Sequence, residues 1–224
     1  MIPVSFYSTV YPQARSEEPK ISFRNVDVRY GKNEILTDLN ANIYGPGLCS
    51  IIGANGSGKT TLLKIACGLS LPSSGEIFVN GLSTKDNWGA VRTNMGVSLY
   101  SERSYHFRLT GKQNIVYFGR LNGIKKAHTL EKVQVLSRNF SIEPLLERKF
   151  SDLSLGQRKI FGMIVAFVFS GDIVVLDEPT ATLDNQNSRA VSAMILWGVD
   201  QGKTILITTH DQSLVEQSHQ VITL

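Results

Sequence analysis

An α/β fold with a mostly parallel central sheet, an antiparallel β portion and an inserted block of helices is predicted by three observations. First, Gly53-Ala54-Asn55-Gly56-Ser57-Gly58-Lys59-Thr60 satisfies G-x-x-x-x-G-K-[ST] between a short apolar run, Leu48 to Ile52, and a helical pattern, Lys59 to Leu69. Second, Ile173-Val174-Val175-Leu176 and Thr204-Ile205-Leu206-Ile207 read as two more buried parallel strands, each ending in polar residues. Third, the stretch from roughly Ser101 to Ser170, between the glycine-rich loop and those two strands, has helical patterning.

The elements follow in order. Met1 to Lys20 carries three prolines and the polar run Gln13 to Glu18, and reads as an extended tail. From Ile21 the pattern alternates through Phe23, Val26 and Val28 to Tyr30-Gly31, then through Glu34-Ile35-Leu36 and Leu39 to Ile43, which predicts antiparallel strands. After the glycine-rich loop and its helix, Leu71 to Gly75 is a loop and Glu76 to Gly81 a strand ending in a turn. Arg92 to Tyr100 is expected to return to the sheet. Thr110 opens a helix running to Gly123, Thr129 to Phe140 reads as another, Asn187 to Trp197 as a third, and Gln220 to Leu224 as a closing strand.

The chain has 224 residues, enough for one large domain or one domain with an inserted subdomain. Its net charge of +4 suits an acidic nucleotide or an anionic membrane surface, and by itself selects neither. The two cysteines, Cys49 and Cys67, fall in a predicted strand and a predicted helix, which argues against a disulfide framework and fits a reducing compartment. Pro3, Pro12 and polar residues stand where a secretory signal needs an apolar core, and Ile160 to Phe169 is too short to span a bilayer. The expectation is a chain soluble by itself, with any membrane-spanning part supplied by another polypeptide.

The chemistry gathers where three predicted strands end. Ligands of open α/β sheets bind beyond the carboxyl ends of the strands. Here those ends carry Gly53 to Thr60, Asp177-Glu178 and His210. A glycine-rich loop presents successive backbone N–H groups to phosphate oxygens, and the following helix adds its positive end. Lys59 supplies charge for the β- and γ-phosphates, and the Thr60 hydroxyl is placed to ligate Mg²⁺. Asp177, closing an apolar strand, suits the same ion, directly or through water. Glu178 is extra to metal binding and is placed to act as general base on an attacking water; standing alone it would read as a surface carboxylate. Either His210 or a backbone carbonyl orients that water or senses the γ-phosphate, the plain alternative being a polar strand end. Tyr30 is placed to stack on a purine, or is an ordinary strand-end tyrosine.

Leu153-Ser154-Leu155-Gly156-Gln157 then precedes Arg158-Lys159 and a strongly apolar helix. With these residues the chain, from about Ile21 onward, resembles an ABC-type ATPase, the nucleotide-binding subunit of an ATP-binding-cassette transporter. The resemblance implies a P-loop NTPase fold spanning 21–224, with a helical subdomain at about 101–170. It implies ATP and Mg²⁺ as ligands, with Gly53, Ala54, Asn55, Gly56, Ser57, Gly58, Lys59, Thr60 and Thr61 around the phosphates and Tyr30 on the adenine. It implies that Ser154, Leu155, Gly156 and Gln157 serve the nucleotide of a second cassette, Ser154 and Gly156 acting in trans. Thr182-Leu183-Asp184 would then cross the dimer interface and His210 would be the switch histidine. Implied partners are transmembrane permease subunits and an identical or paralogous cassette, with no nucleic acid, and the implied place is the inner face of the cell membrane.

Two departures stand out. Leu155 replaces a glycine of the family's L-S-G-G-Q, tolerable where neither positive φ nor close phosphate approach is needed. Val97 to Leu109 contains no glutamine where the family has one ahead of Leu109-Thr110, so Ser101 or Glu102 takes its place, and Glu102 is a candidate for holding a metal-bound water. Ser101 to Tyr105 and Leu109 to Asn114 resemble drug- and polysaccharide-export branches. Tyr105, His106, Phe107, Tyr117 and Phe118 form an aromatic cluster that reads either as a docking groove for a membrane protein or as core. Two alternative functions stand beside this one: a soluble ABC-type module acting on DNA or the ribosome, whose usual coiled-coil, zinc or second-cassette insertions are missing here, and a degenerate cassette that binds ATP without turnover.

Overall fold

The computed structural model describes residues 5–7, 18–99 and 104–224. Its elements run β1 (Ser5–Tyr7), β2 (Ile21–Tyr30), β3 (Asn33–Ile43), β4 (Gly47–Ile52), α1 (Lys59–Ala66), β5 (Ser74–Val79), β6 (Leu82–Ser83), α2 (Trp88–Asn94) and β7 (Met95–Ser98). They continue with α3 (Gly111–Leu121), α4 (Lys126–Asn139), α5 (Glu143–Glu147), α6 (Leu155–Phe169), β8 (Ile173–Asp177), α7 (Asn185–Asp200), β9 (Thr204–Thr208), α8 (Gln212–Glu216) and β10 (Gln220–Thr223).

Strands β10, β4, β9, β8 and β7 lie side by side and parallel, with β1 added antiparallel along β10 through pairs such as Phe6 with Ile222. A separate antiparallel sheet orders β3, β2, β5 and β6. Within the stretch expected to be an extended tail, Ser5–Tyr7 is therefore an edge strand. Arg92 to Asn94, expected in the sheet, instead finish α2, and the strand starts at Met95. Val91 is the one buried residue of that short helix, so no apolar period advertises it. The helix expected from Thr129 begins at Lys126, where Lys125 offers no side-chain cap to mark the start.

The parallel strands read as unbroken apolar runs because both faces are covered. Their alternation assigns each side chain to a face. Leu48, Val174, Leu176, Ile205 and Ile207 join the core built on α6, while Cys49, Ile51, Ile173, Val175 and Leu206 join the core shared with α1 and the antiparallel sheet. Burial pushes the Cys49 and Cys67 thiols up to about 12, so neither is a reactive thiolate at neutral pH. Helix α6 buries ten residues, Lys159 to Val168. It rides close on β7 because position 96 is glycine: a Cβ there would come within 1.8 Å of the Ala166 carbonyl oxygen.

The aromatic cluster divides. Tyr105 packs edge-on against Phe118 and Phe161, at 5.6 and 5.0 Å between ring centres, and belongs to the core; Phe107 and Tyr117 are exposed. Arg158 stacks on Phe107 at 4.9 Å and donates to the Ser151 carbonyl at 2.8 Å, fixing the turn Phe150–Asp152 that leads into α6.

Candidate functional site

A cleft of 410 Å³ opens at the carboxyl ends of β4 and β8, within the size range of ligand pockets. It is lined by Tyr30, Ile35, Asn55, Gly56, Gly58, Lys59, Thr60, Thr61, Asp177 and Glu178. Residues from four places in the sequence thus meet there. Tyr30 ends β2 with 52% of its surface exposed, leaving its ring free to stack.

The loop after β4 is shaped by Gly58, whose φ of +100° is open to glycine and strained for other residues. A Cβ there would press on Ile35 and Leu36, at 3.0 and 3.2 Å, so the loop can lie against β3 only without one. Helix α1 starts with no side-chain cap, leaving the first-turn N–H groups to an outside acceptor. Lys59 is buried and donates to the carbonyls of Gly53 and Ala54 at 2.9 and 3.1 Å. Those bonds hold the ammonium under the loop and leave it one more proton to give. Ser57 Oγ is buried with no hydrogen-bond partner among the described residues, an unsatisfied polar group in the same loop.

Across the cleft, Thr60 Oγ1 donates to Asp177 Oδ2 at 2.9 Å. The other oxygen, Asp177 Oδ1, receives the Thr208 hydroxyl at 2.5 Å. Glu178 is half-buried, has φ +46° and lies with Oε1 3.3 Å from His210 Nε2. His210 therefore reaches the cleft through Glu178.

The segment Ser154-Leu155-Gly156-Gln157 does not line this cleft. It forms the start of α6, where Ser154 Oγ accepts the Gln157 N–H at 3.2 Å and Gln157 Oε1 accepts the Ser154 N–H at 3.0 Å, a reciprocal capping box. Leu155 is the first helical residue and is not among the positive-φ residues, so the missing glycine costs the backbone nothing there; its side chain is 59% exposed. Thr182 has φ +66°, and Asp184 caps α7 by accepting from the Asn187 N–H at 2.8 Å. Glu102 and Ser101 lie outside the described residues.

Two polar residues at this edge were given no role by sequence reasoning. Thr208 was visible only as a hydroxyl following an apolar strand. Lys159, buried on α6, donates to the Ala181 carbonyl at 2.7 Å; burial lowers its pKa while the charges of Glu178 and Asp177 pull it back up. Its one signal was a lysine directly ahead of the apolar run Ile160 to Phe169.

The family profile described as ABC transporter matches residues 36–181. The chain belongs to the ABC transporter family. It is an ATP-binding ATPase cassette of that family, carrying the P-loop NTPase fold. It is 32% identical over 173 residues to the ABC transporter ATP-binding protein NatA of Bacillus subtilis, covering 77% of this chain and 70% of NatA. It is 29% identical over 222 residues to the macrolide export ATP-binding/permease protein MacB of Pasteurella multocida, covering 92% of this chain but 33% of that longer protein. A solved ATP-binding subunit of an ABC transporter shares the fold at a TM-score of 0.81 and 22% identity, over 91% of this chain and 85% of that one. A bacterial ABC transporter cassette solved as a dimer follows at 0.79 and 24%, over 91% and 94%. Among the described residues, no helix is long and apolar enough to cross a membrane.

Proposed function

We propose that this cassette binds and hydrolyses MgATP in the cleft beyond β4 and β8, and that two cassettes close head to tail on two ATPs and reopen after hydrolysis, moving separate transmembrane permease subunits. The reading is carried by the 2.9 Å bond between Thr60 and Asp177, which joins a loop hydroxyl to a strand-end carboxylate with Glu178 next in the chain. Such hard oxygen donors fit Mg²⁺, which takes few protein groups and keeps phosphate oxygens and waters for the rest. Thr60 and Asp177 would hold it, and bound Mg²⁺ supplies charge neutralisation at the β- and γ-phosphates.

The chain's own residues do the rest. Loop amides from Gly53 to Thr61, with the open end of α1, receive the phosphate oxygens, and Lys59 adds a full charge. Tyr30 stacks on the adenine. As a water oxygen bonds to the γ-phosphorus and the bond to the β–γ bridging oxygen breaks, Glu178 takes the proton, leaving ADP and phosphate. His210, 3.3 Å from Glu178, holds that carboxylate and senses the γ-phosphate. Ser154 to Gln157, which lie away from this cleft, cover the nucleotide of the partner cassette, and Thr182 to Asp184 cross the interface.

Residues 21–224 act as the ATPase domain, and the helical part at about 101–170 carries the Leu153 to Gln157 segment and presents Phe107 and Tyr117 to the permease. Similarity to MacB, a macrolide export ATP-binding/permease protein, supports export as the direction; the place of work is the inner face of the cell membrane, beside the permease. The test is Glu178→Gln. It should bind ATP and accumulate dimers by size exclusion with MgATP, while turnover falls at least about 100-fold. Unchanged hydrolysis would remove Glu178 from the general-base role.

A further inference from the structure

Thr208 ends β9 with no exposed surface, and its hydroxyl is fully engaged at the catalytic edge. It donates to Asp177 Oδ1 at 2.5 Å and accepts the Glu178 backbone N–H at 2.8 Å. Thr60 takes the other oxygen of Asp177, so the carboxylate is gripped from both sides, by the phosphate loop and by β9. One hydroxyl therefore touches both the proposed metal-holding carboxylate and the backbone of the proposed general base.

The backbone of Glu178 gives that contact a purpose. Its φ of +46° lies in the left-handed region that side-chain-bearing residues seldom enter, and such a conformation persists only where its surroundings over-determine it. The Thr208 oxygen receives the N–H that this conformation presents, and the 3.2 Å bond from Ala181 N to Glu178 O closes the turn on its far side. A valine would fill the same volume and suit a buried strand better. What threonine adds is the hydroxyl.

Resting on the MgATP reading above, we infer that Thr208 is a positioning residue for hydrolysis: its hydroxyl sets the Asp177 carboxylate and the Glu178 turn in one register. Groups that orient metal-holding side chains commonly change metal affinity or activity by about 10- to 100-fold when removed. The comparison to make is Thr208→Val, which keeps shape and loses the hydroxyl, against Thr208→Ser, which keeps the hydroxyl and loses the methyl.

Two readouts are needed. In steady-state hydrolysis Thr208→Val should lower kcat about 10- to 100-fold with little change in KM for ATP, and Thr208→Ser should stay within about threefold of the parent. In a Glu178→Gln background, where nucleotide is not consumed, Mn²⁺ binding at saturating ATP is followed by the EPR signal of the free ion. Thr208→Val should weaken it about tenfold and Thr208→Ser should preserve it. Parental kcat and Mn²⁺ affinity in Thr208→Val would overturn the inference, as would a Ser variant as impaired as the Val variant, since shape would then matter and the hydroxyl would not. If the parent shows no turnover above Glu178→Gln, the hydrolysis reading fails instead, and the Mn²⁺ measurement still judges Thr208.

Discussion

The two helices that the proposal puts at nucleotides differ in how they begin. Helix α1 follows Gly58 with no side-chain cap, so its first-turn donors have no acceptor from a capping side chain. Helix α6 begins with Ser154 and Gln157 capping each other, at 3.2 and 3.0 Å. Both ends carry the same partial positive charge, and both have orphan N–H groups to satisfy. One end is open to an anion from solution. The other is satisfied by its own chain and must exchange its cap for an outside ligand. That difference suits a division of labour in which α1 captures nucleotide within one cassette and α6 is called on only when a second cassette brings nucleotide to it.

The strongest way to break this comparison is at the open end. Lys59→Ala removes the buried ammonium that lies under the loop, and the expected result is at least about 100-fold weaker binding of a fluorescent ATP analogue, because charge-assisted contacts to phosphate are the strong ones. Near-normal affinity would mean that the amides of α1 hold the phosphates unaided.

A smaller effect is expected at the capped end. Ser154→Ala opens the capping box and should cost about 1 kcal/mol of stability, or roughly 2–4 °C in Tm. Binding of the analogue to the isolated cassette should not change, while turnover falls about tenfold through loss of the cross-subunit contact. Leu155→Gly is the companion variant. The residue already has ordinary helical geometry and an exposed side chain, so turnover should move less than about twofold, with a stability loss of about 0.5–1 kcal/mol from helix propensity. If Ser154→Ala weakens nucleotide binding in the isolated cassette, α6 acts within its own subunit and the division of labour is wrong.

What could be read in the sequence follows the same contrast between local and distant partners. The loop from Gly53 to Thr60 is a local device, and its residue types name the job before any fold is known. Strands β4, β8 and β9 announce themselves because burial on both faces forces continuous apolar runs. Strand β1 does not, since three residues cannot show alternation and its partner β10 lies at the other end of the chain. The end of helix α2, Arg92 to Asn94, passes for the start of the following strand because only Val91 is buried in that helix. Thr208 and Lys159 were invisible as participants for a different reason. Their partners, Asp177, Glu178 and Ala181, lie at separations set by strand order and helix packing, which no periodicity encodes.

Lys159 gives the finest test, because both helices carry a buried lysine near their start. Lys59 turns its ammonium to its own loop, whereas Lys159 turns it to Ala181, in the turn after Glu178. Burial lowers the Lys159 pKa from 10.5, and the Glu178 and Asp177 charges oppose the shift without cancelling it. Between the folded value and 10.5 the unfolded chain binds more protons at this site, so Lys159 adds a rise of unfolding free energy with pH there, set against the fall contributed by the buried Cys49 and Cys67 thiols; below the folded value Lys159 is protonated in both states and its contribution vanishes. Burial shifts Lys203 the same way, so Lys159→Met should remove only part of this positive contribution and lower the alkaline slope relative to the parent. Urea titrations of both proteins across this range supply the slopes. An unchanged slope would put the ammonium in water and end the case for a buried strut from α6 to the catalytic turn. A lower slope with slower turnover and intact nucleotide binding would mean that α6 supports this subunit's own chemistry while its capped end waits for the other's.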